Sequence, residues 1–179
     1  MKLWKRIEPT EITKIGWRTI VTKTFMMPNN KAESFGTFGN EGQHFVAVIG
    51  LTPDNKVVIA RQFRVGPEKI MDELPGGFVD KGEDSEVAAA REFREETGYS
   101  VGKMTYLGAY HKDTYMNAVW HVYFATDCVP THEQELEDEE HVDIELISVE
   151  QLIENGKTDK MTDAVAVLMA YDLLATRMK

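Results

Sequence analysis

The chain has 179 residues, of which 42% are hydrophobic and 28% are charged. This length and balance fit a folded protein with a hydrophobic core, and no apolar run of about 18 residues is present to span a membrane. Its 30 acidic residues against 20 basic ones give a formal net charge of −10, which disfavours binding to nucleic acid or to anionic lipid.

The cysteine content and the N-terminus bear on the cellular compartment. Cys128 is the only cysteine in the sequence, so no intramolecular disulfide can form. The residues from Met1 to Glu8 lack the apolar stretch of a signal peptide. We therefore expect a cytoplasmic protein, because the cytoplasm keeps thiols reduced.

The N-terminal third of the sequence predicts strands separated by turns. Residues 17–25 alternate and are rich in β-branched side chains, which predicts a strand. Residues 27–42 are polar and rich in Gly and Asn, so we expect a turn or a long hairpin loop there. Two apolar runs, 45–51 and 56–63, predict further strands. The turn residues Pro53-Asp54-Asn55 are predicted to join these strands as a hairpin.

The middle of the chain predicts a helix with clear ends. A Gly-rich turn at residues 75–77 is followed by a helix at residues 85–97. Asp84 or Ser85 can cap its N-terminus, and Gly98 suits its C-terminal end.

The rest of the chain mixes strands with a few helices. The pattern predicts strands at residues 104–110, 118–125 and 142–147, an acidic loop at 131–140, and helices at 149–155 and 162–176. Gly156 ends the first of these helices, and the second is apolar and should pack against the sheet. This order predicts an α+β fold, an α/β/α sandwich in which a mixed β-sheet lies between helices.

Acidic side chains share one face of the predicted central helix. Glu92 and Glu96 are four residues apart and Glu95 lies beside them, a spacing that destabilises a bare helix by about 0.2–0.5 kcal/mol per like-charged pair. A hard divalent cation such as Mg²⁺ would turn this cost into a gain. An exposed acidic helix without catalytic function is the alternative that these three residues leave open.

The whole segment is far more specific than an acidic helix. It reads G-x5-E-x7-R-E-U-x-E-E-x-G-U, where U is aliphatic or aromatic and the fixed residues are Gly77, Glu83, Arg91, Glu92, Glu95, Glu96 and Gly98. Seven positions, each filled by chance about one time in twenty, make an accidental match on the order of 10⁻⁹ per window. The segment matches the Nudix box at every fixed position, and residues 45–175 resemble a Nudix hydrolase.

The resemblance to Nudix hydrolases implies a metal site and a reaction. The implied metal ligands are the carboxylates of Glu92, Glu95, Glu96 and Glu140 and the backbone carbonyl of Gly76, with Glu83 as an outer member of the cluster. Arg91 would orient the glutamates through a salt bridge. Mg²⁺, for which Mn²⁺ can substitute, would bridge diphosphate oxygens and activate a water, so Glu95 and Arg91 are predicted to be catalytic.

Two segments beside the box resemble one branch of the family, the ADP-ribose and nucleoside-diphosphate-sugar pyrophosphatases. The sequence RQFR ends at Arg64, and ELPGG begins at Glu73. The resemblance implies that both residues bind substrate, and a guanidinium can hold a diphosphate with two hydrogen bonds. An exposed strand arginine with no such role is the alternative for Arg64.

Members of that branch also place a catalytic glutamate in an acidic loop just before a strand. In this sequence the corresponding loop is residues 133–140. Glu140 aligns best with that position and Glu139 is the next choice. Such a glutamate could accept the proton of the attacking water.

The N-terminal extension resembles the one with which the same branch binds the base and forms a homodimer. We therefore divide the chain into a β extension at residues 1–42 and a Nudix hydrolase domain at residues 43–179. Trp17, and with it Trp4, is a candidate for stacking on the base. The alternative is that both tryptophans pack in a core or in a dimer interface. Phe25, Phe35 and Phe38 are weaker candidates.

The segment at residues 111–117 departs from the pattern of ADP-ribose-cleaving members. Those often carry a proline about fifteen residues beyond the box, and this sequence has none there. Tyr115 lies instead near the place where some dinucleoside-polyphosphate cleavers carry a tyrosine, so it is a candidate substrate-binding residue. His111, His121, His132 and His141 have no zinc-ligand spacing, and His121 is expected to be a hydrogen-bonded structural residue in its strand.

Three functions follow from these observations. The first is Mg²⁺-dependent hydrolysis of ADP-ribose or a nucleoside diphosphate sugar to a nucleoside monophosphate and a sugar phosphate. The second keeps the enzyme but makes a dinucleoside polyphosphate or another nucleotide its substrate. The third is a nucleotide-sensing module without turnover, which the intact box disfavours. In each case the partner is a small nucleotide rather than nucleic acid or a membrane.

Overall fold

A computed structural model describes residues 2–138 and 140–178 of the chain. These residues form two compact units, and each is considered by itself. The smaller unit comprises the chain up to Gln43 together with His111–Val119, and the larger unit comprises His44–Tyr110 and the chain from Trp120 onward.

The smaller unit is built on antiparallel strands. They are β1 (Lys5–Ile15), β2 (Arg18–Met26) and the first part of β3 (Ala32–Gly50). The strand predicted at 17–25 is confirmed as β2, whereas β1 was not predicted. The prediction of a loop through residue 42 was wrong, because β3 begins at Ala32 and pairs with β2 from Met26↔Ala32 to Ile20↔Phe38. The glycines of this segment suggested a loop. The segment is a strand because its backbone pairs with β2, and composition does not reveal such a pairing.

One ion cluster joins the three strands of the smaller unit. Arg6 on β1 donates to Glu41 on β3 at 2.7 Å, and the Lys23 ammonium on β2 lies 3.0 Å from the same carboxylate. The Arg6 hydrogen bond, reinforced by the one from Lys23, lowers the pKa of Glu41 to about 2. The cluster therefore depends on an ionised Glu41.

The Glu41 cluster predicts how the stability of the smaller unit depends on pH. A carboxyl whose pKa is lowered on folding stabilises the fold above its unfolded pKa of about 4.5, and this contribution is lost as the pH falls towards about 2. In urea titrations we expect the wild type to exceed Glu41→Gln in unfolding free energy above pH 4.5. The difference should shrink to nothing near pH 2. A difference that stays constant across this range would contradict the pairing.

The larger unit contains two sheets and a short strand pair. The second part of β3 lies beside β8 (Met116–Thr126), which pairs with β7 (Lys103–Tyr110); β4 (Val57–Arg64) lies between β10 (Val142–Ile147) and β5 (Lys69–Glu73); β6 (Tyr99–Ser100) pairs with β9 (Val129–Pro130). The strands predicted at 45–51, 56–63, 104–110, 118–125 and 142–147 are confirmed, and β5, β6 and β9 were not predicted.

The predicted hairpin between β3 and β4 was wrong, although its turn is present. Asn55 has a φ of 60° in the turn, but β3 and β4 share only the isolated bridge Leu51↔Val57 over the described residues. Leu51 already donates to Ala125 of β8 at 2.9 Å. The strands diverge because each has a better partner far along the chain.

The central helix forms as predicted. It is α1 (Ser85–Thr97), whose N-cap Asp84 accepts from the Glu86 N–H at 2.8 Å. Gly98 ends the helix in the left-handed conformation at φ 73°, and its N–H donates to Arg94 at 2.7 Å.

Shorter helices follow β10. They are α2 (Val149–Gly156), α3 (Ala164–Met169) and α4 (Tyr171–Ala175). The helix predicted at 149–155 is confirmed, whereas the single helix predicted at 162–176 is two helices that meet at Ala170. Ala170 at the junction is completely buried and has φ −90° and ψ −2°. Within the described residues, no helix combines the length and the apolar character needed to cross a bilayer.

Apolar side chains of β3 and β4 alternate between two cores. Ile49 and Ile59 pack on one face with residues of α2, α3 and α4, whereas Val48 and Val58 pack on the other face with α1 through Phe93. Strands covered on both faces read as continuous apolar runs, which is why they were recognisable in the sequence. The strands of the larger unit thus lie between helices, and α1 packs against them through Phe93.

Candidate active site

The carboxylates of α1 lie on the helix face that the spacing predicted. Glu92, Glu95 and Glu96 are half-buried to buried, and Glu96 is only 8% exposed. The apolar face of the helix is anchored by the completely buried Phe93. The three carboxylates are therefore presented from a fixed element rather than from a loop.

Arg91 holds most of this acidic group through one guanidinium. It makes two hydrogen bonds to Glu83, at 3.0 and 2.9 Å, and donates to Glu92 at 2.8 Å and to Glu95 at 3.0 Å. It also donates to the Phe78 carbonyl at 3.0 Å. The Glu83 hydrogen bonds raise the pKa of Arg91, and in turn they lower the pKa of Glu83 to about 2. A salt bridge from Arg91 to the glutamates is thus present, as the sequence predicted.

The glycine turn before α1 fits closely between β3 and the helix. Val48 donates to the Pro75 carbonyl and Val46 to the Gly77 carbonyl, each at 2.9 Å. A Cβ at Gly76 would overlap the Val46 carbonyl, and a Cβ at Gly77 would overlap the Glu92 carboxylate. Glycine is required at position 76 because a Cβ would meet backbone atoms there, whereas at position 77 the Glu92 side chain would have to move away.

Glu96 is held by that turn in an electrostatically unfavourable place. The Gly76 N–H donates to its carboxylate at 2.8 Å. Burial first, and then the nearby carboxylates of Glu92 and Glu140, raise the pKa of Glu96 to about 8, although the Gly76 hydrogen bond acts to lower it. Burial also raises the pKa of Glu92, to which Glu95 and Glu140 contribute. These are the carboxylates that a divalent cation would stabilise most.

The acidic loop is fastened to the C-terminal end of α1. Backbone carbonyls at the end of the helix, which have no partner within the helix, accept hydrogen bonds from the loop. The Glu135 N–H donates to the Glu95 carbonyl at 2.8 Å, and the Gln134 side-chain amide donates to the Glu96 carbonyl at 2.6 Å. Further along, the Glu140 carboxylate accepts from the Glu137 N–H at 3.0 Å. The loop thereby brings Glu140 into the electrostatic neighbourhood of Glu92 and Glu96. Glu139, the second candidate base, lies outside the described residues.

Arg64 and Glu73 bind each other. The Arg64 guanidinium donates to both carboxylate oxygens of Glu73, once at 2.7 Å, and the Gln62 amide approaches the same carboxylate at 3.5 Å. Glu73 is buried, whereas the Arg64 side chain is 46% exposed. The pair fixes the direction of Arg64 while leaving part of its guanidinium accessible. The sequence predicted both residues but not their pairing.

The smaller unit contains an open cavity of about 730 Å³ with an aromatic wall. Trp4, Phe25 and Phe35 form the wall, with ring centroids 5.9–6.5 Å apart. Tyr115 also lines the cavity. Trp17 does not line it: this residue is 80% exposed in the turn between β1 and β2, with the Arg18 guanidinium 4.4 Å from its ring.

Polar residues of the same cavity were missed in the sequence. Lys23 hydrogen-bonds Asn117, and the Asn117 amide also donates to Thr37 at 2.9 Å. These residues are far apart in the chain and carry no motif, so no signal in a single sequence brings them together.

His121 is hydrogen-bonded to His44 at 2.8 Å and to Tyr106 at 3.1 Å, in keeping with the structural role expected of it.

The donor set of α1 suits a hard divalent cation in kind. Carboxylates and a backbone carbonyl are the oxygens that Mg²⁺ binds, and the cluster here carries an excess of negative charge. Among residues 2–138 and 140–178, no three Asp, Glu, His or Cys side chains converge as a ready-made site. Arg91 occupies oxygens of Glu92 and Glu95, so these side chains would have to turn from it to share a cation.

Known proteins resemble this chain in sequence. The NUDIX domain family model matches residues 43–168. An ADP-ribose pyrophosphatase of Bacillus subtilis is 31% identical over 140 residues, covering 77% of this chain and 75% of its own length. A methanol dehydrogenase activator of Bacillus methanolicus is 32% identical over 125 residues, covering 69% of this chain and 68% of its own length.

The fold also has a counterpart among solved structures. The crystal structure of an ADP compounds hydrolase superposes with a TM-score of 0.80 over 98% of this chain and 97% of that one, at 17% identity. At this identity the likeness shows the fold alone. It confirms the α+β class that the sequence predicted.

Proposed function

The chain belongs to the Nudix family of hydrolases, and on that premise we propose that it cuts the diphosphate bond of ADP-ribose or of a nucleoside diphosphate sugar. The products would be a nucleoside monophosphate and a sugar phosphate. The observation that carries the proposal is the buried Glu96 of an intact box. Its carboxylate accepts from the Gly76 N–H and lies near Glu92 of the box and Glu140 of the acidic loop. The Bacillus subtilis ADP-ribose pyrophosphatase, which aligns over most of both chains, supports the substrate class.

The residues that would hold Mg²⁺ or Mn²⁺ are Glu92, Glu95, Glu96 and Glu140 and the Gly76 carbonyl. Bound there, the metal would neutralise charge on the diphosphate and lower the pKa of a water. Glu96 is the innermost of these groups because it is buried and fixed by the turn. Arg91 keeps Glu92 and Glu95 on the face they share, and Glu83 fixes the position of Arg91 in turn.

The proton of the attacking water requires an acceptor. Glu140 is our first choice, since its carboxylate lies on the acidic loop within reach of the charges of Glu92 and Glu96. Glu95 is the alternative on α1, and Glu139 remains a prediction from the sequence.

Each unit, taken by itself, contains a feature with the chemistry to bind part of a nucleotide. The accessible part of the Arg64 guanidinium, oriented by Glu73, has the chemistry to hold a phosphate oxygen. The aromatic cavity of the smaller unit has the size and the ring surfaces that a nucleobase needs, with Tyr115 and Trp4 as candidate contacts. Trp17 stays a prediction. Dinucleoside polyphosphates are the second candidate substrate, because Tyr115 lies near the place where some enzymes that cleave them carry a tyrosine.

A substrate screen tests the proposal. We expect Mg²⁺-dependent release of a nucleoside monophosphate from ADP-ribose or a sugar nucleotide, with higher kcat/KM than for diadenosine polyphosphates or nucleoside triphosphates. EDTA should abolish turnover, and added Mg²⁺ or Mn²⁺ should restore it. Faster cleavage of the polyphosphates would transfer the proposal to the second candidate. Tight binding without product in any metal would identify a sensing module instead.

Three expectations complete the proposal. We propose that residues 1–42 serve base binding and dimerisation while residues 43–179 carry the hydrolase. A homodimer and a cytoplasmic location are inferred from the sequence and from its resemblance. Size-exclusion chromatography with light scattering measures the molar mass and so tests the homodimer directly.

A further inference from the structure

The strand that leads into the glycine turn is held on both edges. On one edge β5 pairs with β4, through Ala60↔Glu73 and Arg61↔Asp72. On the other edge it is bound by the last turn of α2 and by the segment between α2 and α3. Asp72 donates from its backbone to Lys160 at 2.9 Å, and the Asn155 amide donates to the Asp72 carboxylate at 2.8 Å.

The last contact of this segment reaches past β5 to the turn itself. The Leu74 N–H donates to the Asp163 carboxylate at 3.1 Å, in surroundings where both residues are buried. Asp163 is only 4% exposed and lies 89 residues further along the chain. Burying an aspartate side chain costs free energy unless its oxygens are hydrogen-bonded, so the contacts of Asp163 are expected to offset this cost.

The Asp163 carboxylate serves the turn in place of its own helix. Asp163 occupies the N-cap position of α3, where aspartate ordinarily accepts from the first helical N–H groups. Its side chain makes no such capping hydrogen bond. The carboxylate accepts from the Leu74 N–H instead, and the helix uses only the backbone carbonyl of Asp163, which accepts from the Val167 N–H at 3.1 Å.

The hydrogen bond from Leu74 to Asp163 holds the first residue of the turn, and contacts with β3 and α1 hold the other residues, 75–77. Pro75 and Gly77 are held by β3, and the Gly76 N–H by Glu96. We propose that Asp163 is a positioning residue that holds the 74–77 turn, and through it Glu96 and the Gly76 carbonyl, in the arrangement that hydrolysis requires. This inference rests on the proposed function of that site.

Asp163→Ala and Asp163→Asn, compared with Asn155→Ala, test the inference in the full-length chain. Outer residues that orient metal ligands typically contribute about 10–100-fold to activity or metal affinity. We expect Asp163→Ala to lower kcat by that factor and to raise the Mg²⁺ concentration needed for half-maximal activity, with little change in KM. Asp163→Asn keeps an acceptor oxygen for Leu74 and should recover most of the loss.

Asn155→Ala is the matched control, because it removes a buried contact to the same strand without touching the turn. It should lower the thermal midpoint but keep the wild-type kcat and Mg²⁺ requirement. If kcat follows the thermal midpoint equally in both alanine variants, or if Asp163→Asn is as impaired as Asp163→Ala, the positioning role is overturned.

Amide hydrogen exchange separates this inference from the proposed function. In metal-free protein, Asp163→Ala should lose exchange protection at Gly76 and Leu74, whereas Asn155→Ala should retain it. Unchanged protection at Gly76 in Asp163→Ala would refute the positioning role even if hydrolysis is confirmed. A wild type without hydrolytic activity but with this exchange pattern would refute the proposed function and leave the positioning contact standing.

Discussion

Replacing Glu96 with glutamine should lower kcat by about 10³-fold while leaving the protein folded. Glutamine has the same shape, and its carbonyl oxygen can still accept from the Gly76 N–H. What it lacks is the negative charge that a divalent cation requires at the most buried position of the cluster. Steady-state kinetics with saturating Mg²⁺ measures the effect.

The stability of the same variant should move in the opposite direction. Burial and the neighbouring carboxylates raise the pKa of Glu96 to about 8, which means that its charge is unfavourable in the metal-free fold. Neutralising it should therefore leave the thermal midpoint unchanged or raise it. Glu86→Gln, an exposed position in the first turn of the same helix, is the control and should match the wild type in both measurements. Wild-type turnover in Glu96→Gln would refute the assignment of the metal site.

Arg91→Ala should impair both activity and stability. Its guanidinium makes hydrogen bonds to three glutamates and to the Phe78 carbonyl, so alanine leaves like charges unpaired next to one another. We expect kcat to fall about 100-fold and the unfolding free energy to fall by about 1–3 kcal/mol, the range for hydrogen bonds to charged groups at a partly exposed site. Urea titration and steady-state kinetics provide the two measurements.

Two further variants show whether the geometry or the charge of Arg91 matters. Lysine keeps the charge but cannot hold Glu83 with two hydrogen bonds while donating to Glu92, so Arg91→Lys should recover less than half of the lost activity. Arg177→Ala removes an exposed arginine near the C-terminus and should behave like the wild type. Full recovery in Arg91→Lys would show that positive charge alone suffices there.

Local features of the chain were predictable because neighbours in sequence determine them. The ends of α1 follow from the side-chain cap at Asp84 and the left-handed Gly98, which are properties of a few adjacent residues. The carboxylates of α1 share a face because helical spacing brings residues three and four apart together. The central strands of the larger unit were recognisable because both of their faces are buried.

Features that depend on distant partners were not predictable in the same way. β1 and the first part of β3 are largely exposed and lack a strong pattern, and they are strands because β2 pairs with them. Composition alone favoured a loop where β3 begins, and it favoured one helix where α3 and α4 meet at Ala170. For β3, pairing with β2 outweighed a weak local preference.

The same division applies to the candidate site. The family, the box and the identity of its acidic residues could all be read from the sequence, since these depend on residue types at fixed spacing along one segment. Three contacts became visible only in the fold: Arg64 is paired with Glu73, Glu96 is buried against the Gly76 N–H, and Asp163 accepts from Leu74 at the start of the turn. Burial and hydrogen bonding between residues far apart are set by how strands and helices pack, and no local pattern encodes them.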